Sequence, residues 1–172
     1  MINVKTAIIV ASHHHGNTRR IADAMAAALR ARVIDADVAS EDDLLDYGII
    51  GLGSGIYFGR PHRSIRRLAS TIPADSKRVF LFSTSGLPCL SFFWHLCLKR
   101  TLKQRRAVMV GEFHCRGWDT VGPLKLFGGL NRRHPDAVDL KRAISFANGL
   151  AETCLTKGLP ATPRADGGER HE

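Results

Sequence analysis

Residues Ala7 to Thr18 read AIIVASHHHGNT. The run Ala7-Ile8-Ile9-Val10 is apolar without alternation, the pattern of a strand buried on both faces of a parallel sheet. It breaks at Ser12 into His13, His14, His15, Gly16, Asn17 and Thr18. A helical pattern then begins at Arg19, with Ile21, Ala24, Met25, Ala28 and Leu29 on one stripe. Strand, polar turn and helix is the order these residues predict. A turn of this kind points backbone N–H groups and the positive end of a helix dipole at whatever lies above it, and a phosphate is the matching guest.

Outward from this stretch the same alternation repeats. Strands are expected at Lys5–Ala11, Ala31–Asp35, Tyr47–Ser54, Lys77–Ser83 and Ala107–Phe113. Helices are expected from Asn17 or Thr18 to Arg30, from Pro61 to Thr71 with Ile65, Leu68 and Ala69 inward, and from Ser91 to Gln104 with Phe92, Phe93, Leu96 and Leu102 among its apolar positions. The last helix runs from Asp136 to about Lys157, with Leu140, Ile144, Ala147, Leu150 and Ala151 inward. Within Ala39–Leu45 the acids Glu41, Asp42 and Asp43 read as the cap of a helical turn. The short second strand ends in polar residues and belongs at or near a sheet edge. Strand–helix alternation predicts an α/β fold, an open doubly wound five-stranded parallel sheet with helices on both faces. Residues 1–157 form one domain in this reading, and the Pro-, Gly- and charge-rich tail 158–172 is expected to be disordered. Each polar glycine turn closes a strand at its C-terminal end, the edge where open α/β sheets bind ligands.

Composition narrows the function classes. The chain has 172 residues, 44% hydrophobic and 24% charged, which suits one globular domain. The net charge of +9 comes from scattered pairs such as Arg19-Arg20, Arg66-Arg67 and Arg132-Arg133. That reads first as a solvated basic surface, then as a face for an acidic partner or anionic substrate, and least as a nucleic-acid surface, since no long basic run or aromatic interleaving occurs. None of the cysteines Cys89, Cys97, Cys115 and Cys154 falls in a C-x-x-C pair, which argues against structural zinc and a thioredoxin-type dithiol. Neither a signal peptide nor a membrane span is legible, and a soluble, reduced, cytoplasmic setting is the expectation.

The first turn lacks the lysine of a Walker loop and the cysteine of a phosphatase loop. The acids of a receiver domain are replaced by Ser12 and Ser54. Gly53-Ser54-Gly55 is not completed to a dinucleotide fingerprint, and the next helix starts only near Pro61. What remains is a neutral phosphate cradle and an aromatic loop. Three adjacent histidines also suggest a metal, but consecutive side chains converge poorly in a turn.

The stretch His13-His14-His15-Gly16-Asn17-Thr18 resembles the first loop of the flavodoxin family, approximately T/S-x-T-G-N-T, which wraps the phosphate of FMN. Gly16, Asn17 and Thr18 match as they stand; His13 and His15 replace hydroxyl residues, and Ser12 lies one place early. The resemblance implies a strand order of 2-1-3-4-5 and FMN as cofactor. It places an aromatic on the flavin from the second loop, Gly55-Ile56-Tyr57-Phe58, and a third loop at Thr84-Ser85-Gly86 after Ser83. Trp118 either lines the ring edge or packs on the insert that follows it. The stretch Gly111 to Trp118, with Gly128-Gly129 and His134-Pro135, is similar to a branch of flavodoxin-like proteins, and the resemblance covers residues 4 to 155. It implies electron transfer with a redox partner protein and no catalytic acid or base. The alternative is an NAD(P)H-dependent FMN or quinone reductase, with Arg60, Arg63 or Arg116 suited to a pyridine nucleotide phosphate. A third reading, motivated by the histidine substitutions, is a flavin-free basic α/β binding module. Tyr57 and Phe58 also read as mere loop cover, and Cys115 beside Arg116 as either a low-pKa thiol or a packed side chain.

Overall fold

The structure, a computed structural model, describes residues 4–13, 15–73, 77–86, 91–118 and 131–156. The tail 158–172, His14, Cys89 and the insert with Asp119, Pro123 and Gly128-Gly129 lie outside the described residues, as does the side chain of Phe92. In chain order the elements are β1 (Thr6–Ala11), α1 (Asn17–Leu29), β2 (Arg32–Asp35), α2 (Asp42–Leu45), β3 (Ile49–Tyr57), β4 (Arg60–Pro61), α3 (Arg63–Thr71), β5 (Arg78–Ser85), α4 (Ser91–Gln104), β6 (Val108–Arg116) and α5 (Ala137–Thr156). The sheet order is β2-β1-β3-β5-β6, all parallel, with β4 paired antiparallel to β3 off this path. The five parallel strands thus have the expected order, and β2 is an edge strand.

Alternation along the strands divides the core into two layers. Ile8, Val10, Phe80, Phe82, Phe113 and Cys115 face α1 and α5, meeting Ile21, Met25, Ala143, Ala147 and Leu150. Ala7, Ile9, Ile50, Leu52, Val79 and Leu81 face α3 and α4, meeting Ile65, Leu68, Leu98 and Leu102. All of β1 is buried, as its unbroken apolar run requires. Of the three acids only Asp43, inside α2, makes a capping pair: Ser40 N–H donates to Asp43 Oδ2 at 2.9 Å, and Asp43 N–H donates to Ser40 Oγ at 3.3 Å, while Glu41 makes no side-chain cap bond.

Several boundaries differ from the sequence reading. The segment from Gly53 to Pro61 is a hairpin, not a loop: β3 continues to Tyr57, turns at Phe58 and Gly59 with φ of 49° and 76°, and returns as β4. Two consecutive positive φ values are what a two-residue hairpin needs to match strand twist. Helix α3 starts at Arg63 because Pro61 belongs to β4 and His62 is the cap, its Nδ1 accepting Ser64 N–H. Strands β5 and β6 extend to Ser85 and Arg116, since the hydroxyl-rich end of β5 stays in register with β6. Phe93 is 65% and Ile144 39% exposed; they face outward because Trp94 and Leu98 on α4, and Ala143 and Ala147 on α5, take the buried stripes.

Gly51 and Gly53 on β3 are required by close approach, since a Cβ at either position would enter the ring of Phe80 or Phe82. Both rings are fully buried, so neither can swing away without a cavity. Gly53→Ala is expected to cost about 1–3 kcal/mol through overpacking, read as a lowered urea midpoint with unchanged slope.

Candidate functional site

The turn between β1 and α1 sits at the C-terminal edge of the sheet. His15 and Gly16 both hold left-handed backbone, with φ of 56° and 65°. Gly16 is the residue before the helix and provides no side-chain cap. The first turn of α1 holds no acid and two arginines, Arg19 and Arg20. That is the reverse of what the helix dipole favours; Arg19 is paired with Asp23 at 2.9 Å, and Arg20 is exposed beside it. Ser12 Oγ takes the N–H of Arg19 at 3.2 Å. A helix leaves its first amides without internal acceptors, and those of Gly16, Asn17 and Thr18 are the ones at this turn. A Cβ built on Gly16 would meet nothing within 4 Å.

The side chains of Asn17 and Thr18 point the other way, into the protein. Thr18 Oγ1 lies 2.8 Å from Thr84 Oγ1 in a buried contact, which ties α1 to the end of β5. Asn17 Nδ2 donates to the carbonyl of Trp118 at 2.8 Å, which ties α1 to the segment after β6. Gly117 packs between them; a Cβ there would lie 3.1 Å from both Asn17 Nδ2 and Thr84 Cβ. The two strands close the arrangement through Gly117 N–H on the Ser85 carbonyl at 2.9 Å. Asn131 Nδ2 reaches the carbonyl of buried Gly86 at 2.9 Å. The first, third and last segments of the candidate site are therefore one hydrogen-bonded unit.

Rings flank the turn on two sides. His15 stacks on Trp118, with centroids 3.8 Å apart and planes 26° apart. On the other side Tyr57 folds back over Gly55, and its hydroxyl accepts the N–H of His13 at 3.2 Å. Desolvation raises the Tyr57 pKa, so the group is a neutral phenol. Ile56 is half-buried in the hairpin, and Phe58 at its tip is 91% exposed. His13 also meets His62, with centroids 4.2 Å apart, and its Nε2 lies 3.4 Å from Asp37 Oδ2. The poor convergence of adjacent histidines is avoided because His13 gathers with residues from other segments; the ligand atoms of His13, Asp37 and His62 lie within 4.8 Å of one another. They border a cleft of about 510 Å³ with Arg63, Ser64 and Arg67. Arg116 lies in a different cleft, with His134, Asp139 and Arg142, and Arg60 is exposed in the hairpin. Cys115 is packed: burial pushes its thiol up to about 12, which overturns the low-pKa alternative.

The sequence reading missed a polar layer beneath α4. Ser83 Oγ lies 2.8 Å from His95 Nε2 and 2.7 Å from His114 Nδ1. Beyond them, Ser85 Oγ is 3.2 Å from His114 Nε2, and Glu112 Oε2 is 3.1 Å from His95 Nδ1. Period-2 spacing of Ser83 with Ser85 and of Glu112 with His114 was the available signal, since it puts all four on one face. Burial holds His114 down at about 4 and lowers His95 as well.

Comparison with known proteins places this geometry. A family model described as a flavodoxin domain matches residues 7–89. An uncharacterized protein of Methanocaldococcus jannaschii is 42% identical over 147 residues, covering 86% of this chain and 98% of that protein. Among solved structures, oxidised flavodoxin 2 from Bacillus cereus aligns with a TM-score of 0.66 at 22% identity, covering 87% of this chain and 99% of that one. The Flv1 flavodiiron core of Synechocystis sp. PCC6803 aligns with a TM-score of 0.68 at 15% identity over 88% of this chain. The chain spans only 36% of that protein's length.

Two outcomes follow from the buried contacts. Thr18→Val or Thr84→Val alone leaves one hydroxyl buried without its partner and should cost about 1–3 kcal/mol. The double variant should cost less than the sum, as a double-mutant cycle in urea will read. With a folded pKa near 4 against an ordinary 6.5, His114 binds fewer protons folded than unfolded across that window. Its contribution to stability is therefore complete above pH 6.5 and is lost as pH falls towards 4. His114→Asn should flatten that part of the stability–pH curve.

Proposed function

The chain belongs to the flavodoxin-like family, and from that premise we propose that it binds FMN and passes electrons to and from a redox partner. The observation that carries this reading is the start of α1: an uncapped, acid-free, arginine-bearing helix N-terminus beneath an open glycine. The donor set fits a phosphate monoester, because backbone amides and a helix dipole hold a dianion and the nearby arginine charge favours it further.

In this reading the amides of Gly16, Asn17 and Thr18 hold the phosphate, while Ser12 and the side chains of Asn17 and Thr18 fix the turn that presents them. His13 borders that turn, and His14 is proposed with it from the sequence. His15 with Trp118, and Tyr57 with Phe58, flank the ring system; Gly55 and Ile56 form the hairpin floor, and Thr84, Ser85 and Gly86 supply the opposite edge. FMN would supply reversible uptake of one or two electrons. The chain's own work is to orient the cofactor, to exclude water from its apolar ring and to present an exposed apolar tip, Phe58, beside it. The net charge of +9 suits an acidic partner surface.

A second reading, a reductase that takes hydride from NAD(P)H, is favoured by the cleft holding Arg63 and Arg67 beside His13. Mixing the FMN-loaded protein with NADPH separates the two: rapid bleaching of flavin absorbance supports the reductase, and none supports the carrier.

Titration of the protein with FMN should quench flavin fluorescence, with riboflavin binding far more weakly. Gly16→Ala places a side chain at φ 65°, costing about 1–2 kcal/mol, and should weaken FMN binding by about tenfold. A flavin that stays fully fluorescent at high protein concentration contradicts the proposal.

A further inference from the structure

The polar layer under α4 is a continuous hydrogen-bonded chain from the surface to the end of β5. Lys99 pairs with Glu112 Oε1, so the carboxylate serves this chain as an acceptor. His95 must then donate from Nδ1 to Glu112 Oε2, 3.1 Å away. Burial disfavours the imidazolium, so His95 Nε2 accepts, and Ser83 donates to it at 2.8 Å. Ser83 Oγ in turn accepts from His114 Nδ1 at 2.7 Å. His114 is neutral at pH 7, so its Nε2 accepts from Ser85 O–H at 3.2 Å. The acceptor at Glu112 thus dictates every donor in turn. Of the inner members, Ser83 is 1%, His95 2% and Ser85 8% exposed, and His114 is half-buried beside a cleft. The outer one is open, with the Glu112 side chain 35% exposed. Other charged groups near the chain are Arg142, Arg116, Asp136 and Asp139, across the cleft that His114 shares with α5.

A polar chain this long on an otherwise apolar sheet face is costly to bury for structure alone. One end reaches solvent, and the other is the last residue of the strand that borders the proposed flavin site. We propose that Glu112, His95, Ser83, His114 and Ser85 conduct protons between solvent and the bound flavin, a role that rests on the FMN reading above.

The transfers balance. A proton released at the bound flavin on oxidation would be accepted by Ser85 Oγ. The Ser85 O–H proton moves to His114 Nε2, the Nδ1 proton of His114 moves to Ser83, the former Ser83 proton moves to His95 Nε2, and the His95 Nδ1 proton moves to Glu112. One bond to hydrogen forms and one breaks at Ser85, His114, Ser83 and His95, and one forms at Glu112. The chain is left inverted, with both imidazoles protonated at Nε2 and Glu112 neutral. Glu112, open to solvent, then gives that proton up, and when a proton is next needed at the flavin site one taken from solvent at Glu112 travels by the reverse passage and restores the starting arrangement.

The test has two readouts. Ring nitrogen NMR of the ligand-free protein at pH 7 should show His95 and His114 neutral and protonated at Nδ1. Protonation at Nε2, or an imidazolium at either, overturns the chain whatever the flavin does. In FMN-loaded protein, photoreduction in the presence of a pH indicator reads proton uptake. Glu112→Gln keeps the acceptor oxygen for His95 but cannot carry the proton, and Ser83→Ala cuts the chain in its middle. Each should slow uptake by about tenfold or more, with FMN affinity unchanged. Wild-type uptake in both variants overturns the proposal. Failure to bind FMN, with the ring protons as described, overturns the flavin reading and with it the inner end of the path.

Discussion

A single buried contact between hydroxyls, Thr18 to Thr84, decides where the candidate site can be. It pins the first turn of α1 to the end of β5, and the Asn17 amide does the same for the segment after β6. A helix start is ordinarily a frayed, hydrated place. Here the side chains of Asn17 and Thr18 are spent inward, which leaves the first backbone amides, without helical acceptors, as the donors a ligand could use. That division of labour explains why the turn carries residues that look like ligand donors yet uses them as struts. The sheet below supplies the rigidity: β1 is buried along its whole length, and the phenyl rings of β5 cross the side-chain-free positions of β3.

The polar residues at the sheet's C-terminal edge are of two kinds. Those on the α1 side hold segments together. Those on the α4 side form a connected series with one exposed carboxylate and two histidines kept neutral by burial. Neither kind is a set of isolated surface groups, and each is satisfied within the protein. Every described buried side-chain nitrogen or oxygen has a hydrogen-bond partner.

Much of the architecture was legible because unbroken apolar runs and helical stripes are signals written locally. Val79 to Phe82 and Ile8 to Val10 could only be buried strands. The strand order was not readable from periodicity; it came from the resemblance of Gly16-Asn17-Thr18 and the loops after it, and the sheet has that order. The hairpin at Phe58-Gly59 was missed because its turn puts a bulky residue at positive φ, where sequence patterns lead one to expect glycine or asparagine. Phe93 and Ile144 were misplaced because stripes at helical spacing leave a neighbouring position almost equally placed, and packing chose Trp94 and Ala143. His95, His114 and Glu112 were invisible as a group because they come from a helix and a strand whose approach only the fold sets.

The central claim is that the backbone amides at the start of α1 hold a phosphate. The most direct measurement is a backbone amide NMR titration with FMN and, separately, with riboflavin. The account predicts large shifts at Gly16, Asn17 and Thr18 with FMN and small ones with riboflavin, because only FMN carries the phosphate. Equal responses to both ligands, or FMN shifts confined to other segments, would contradict it.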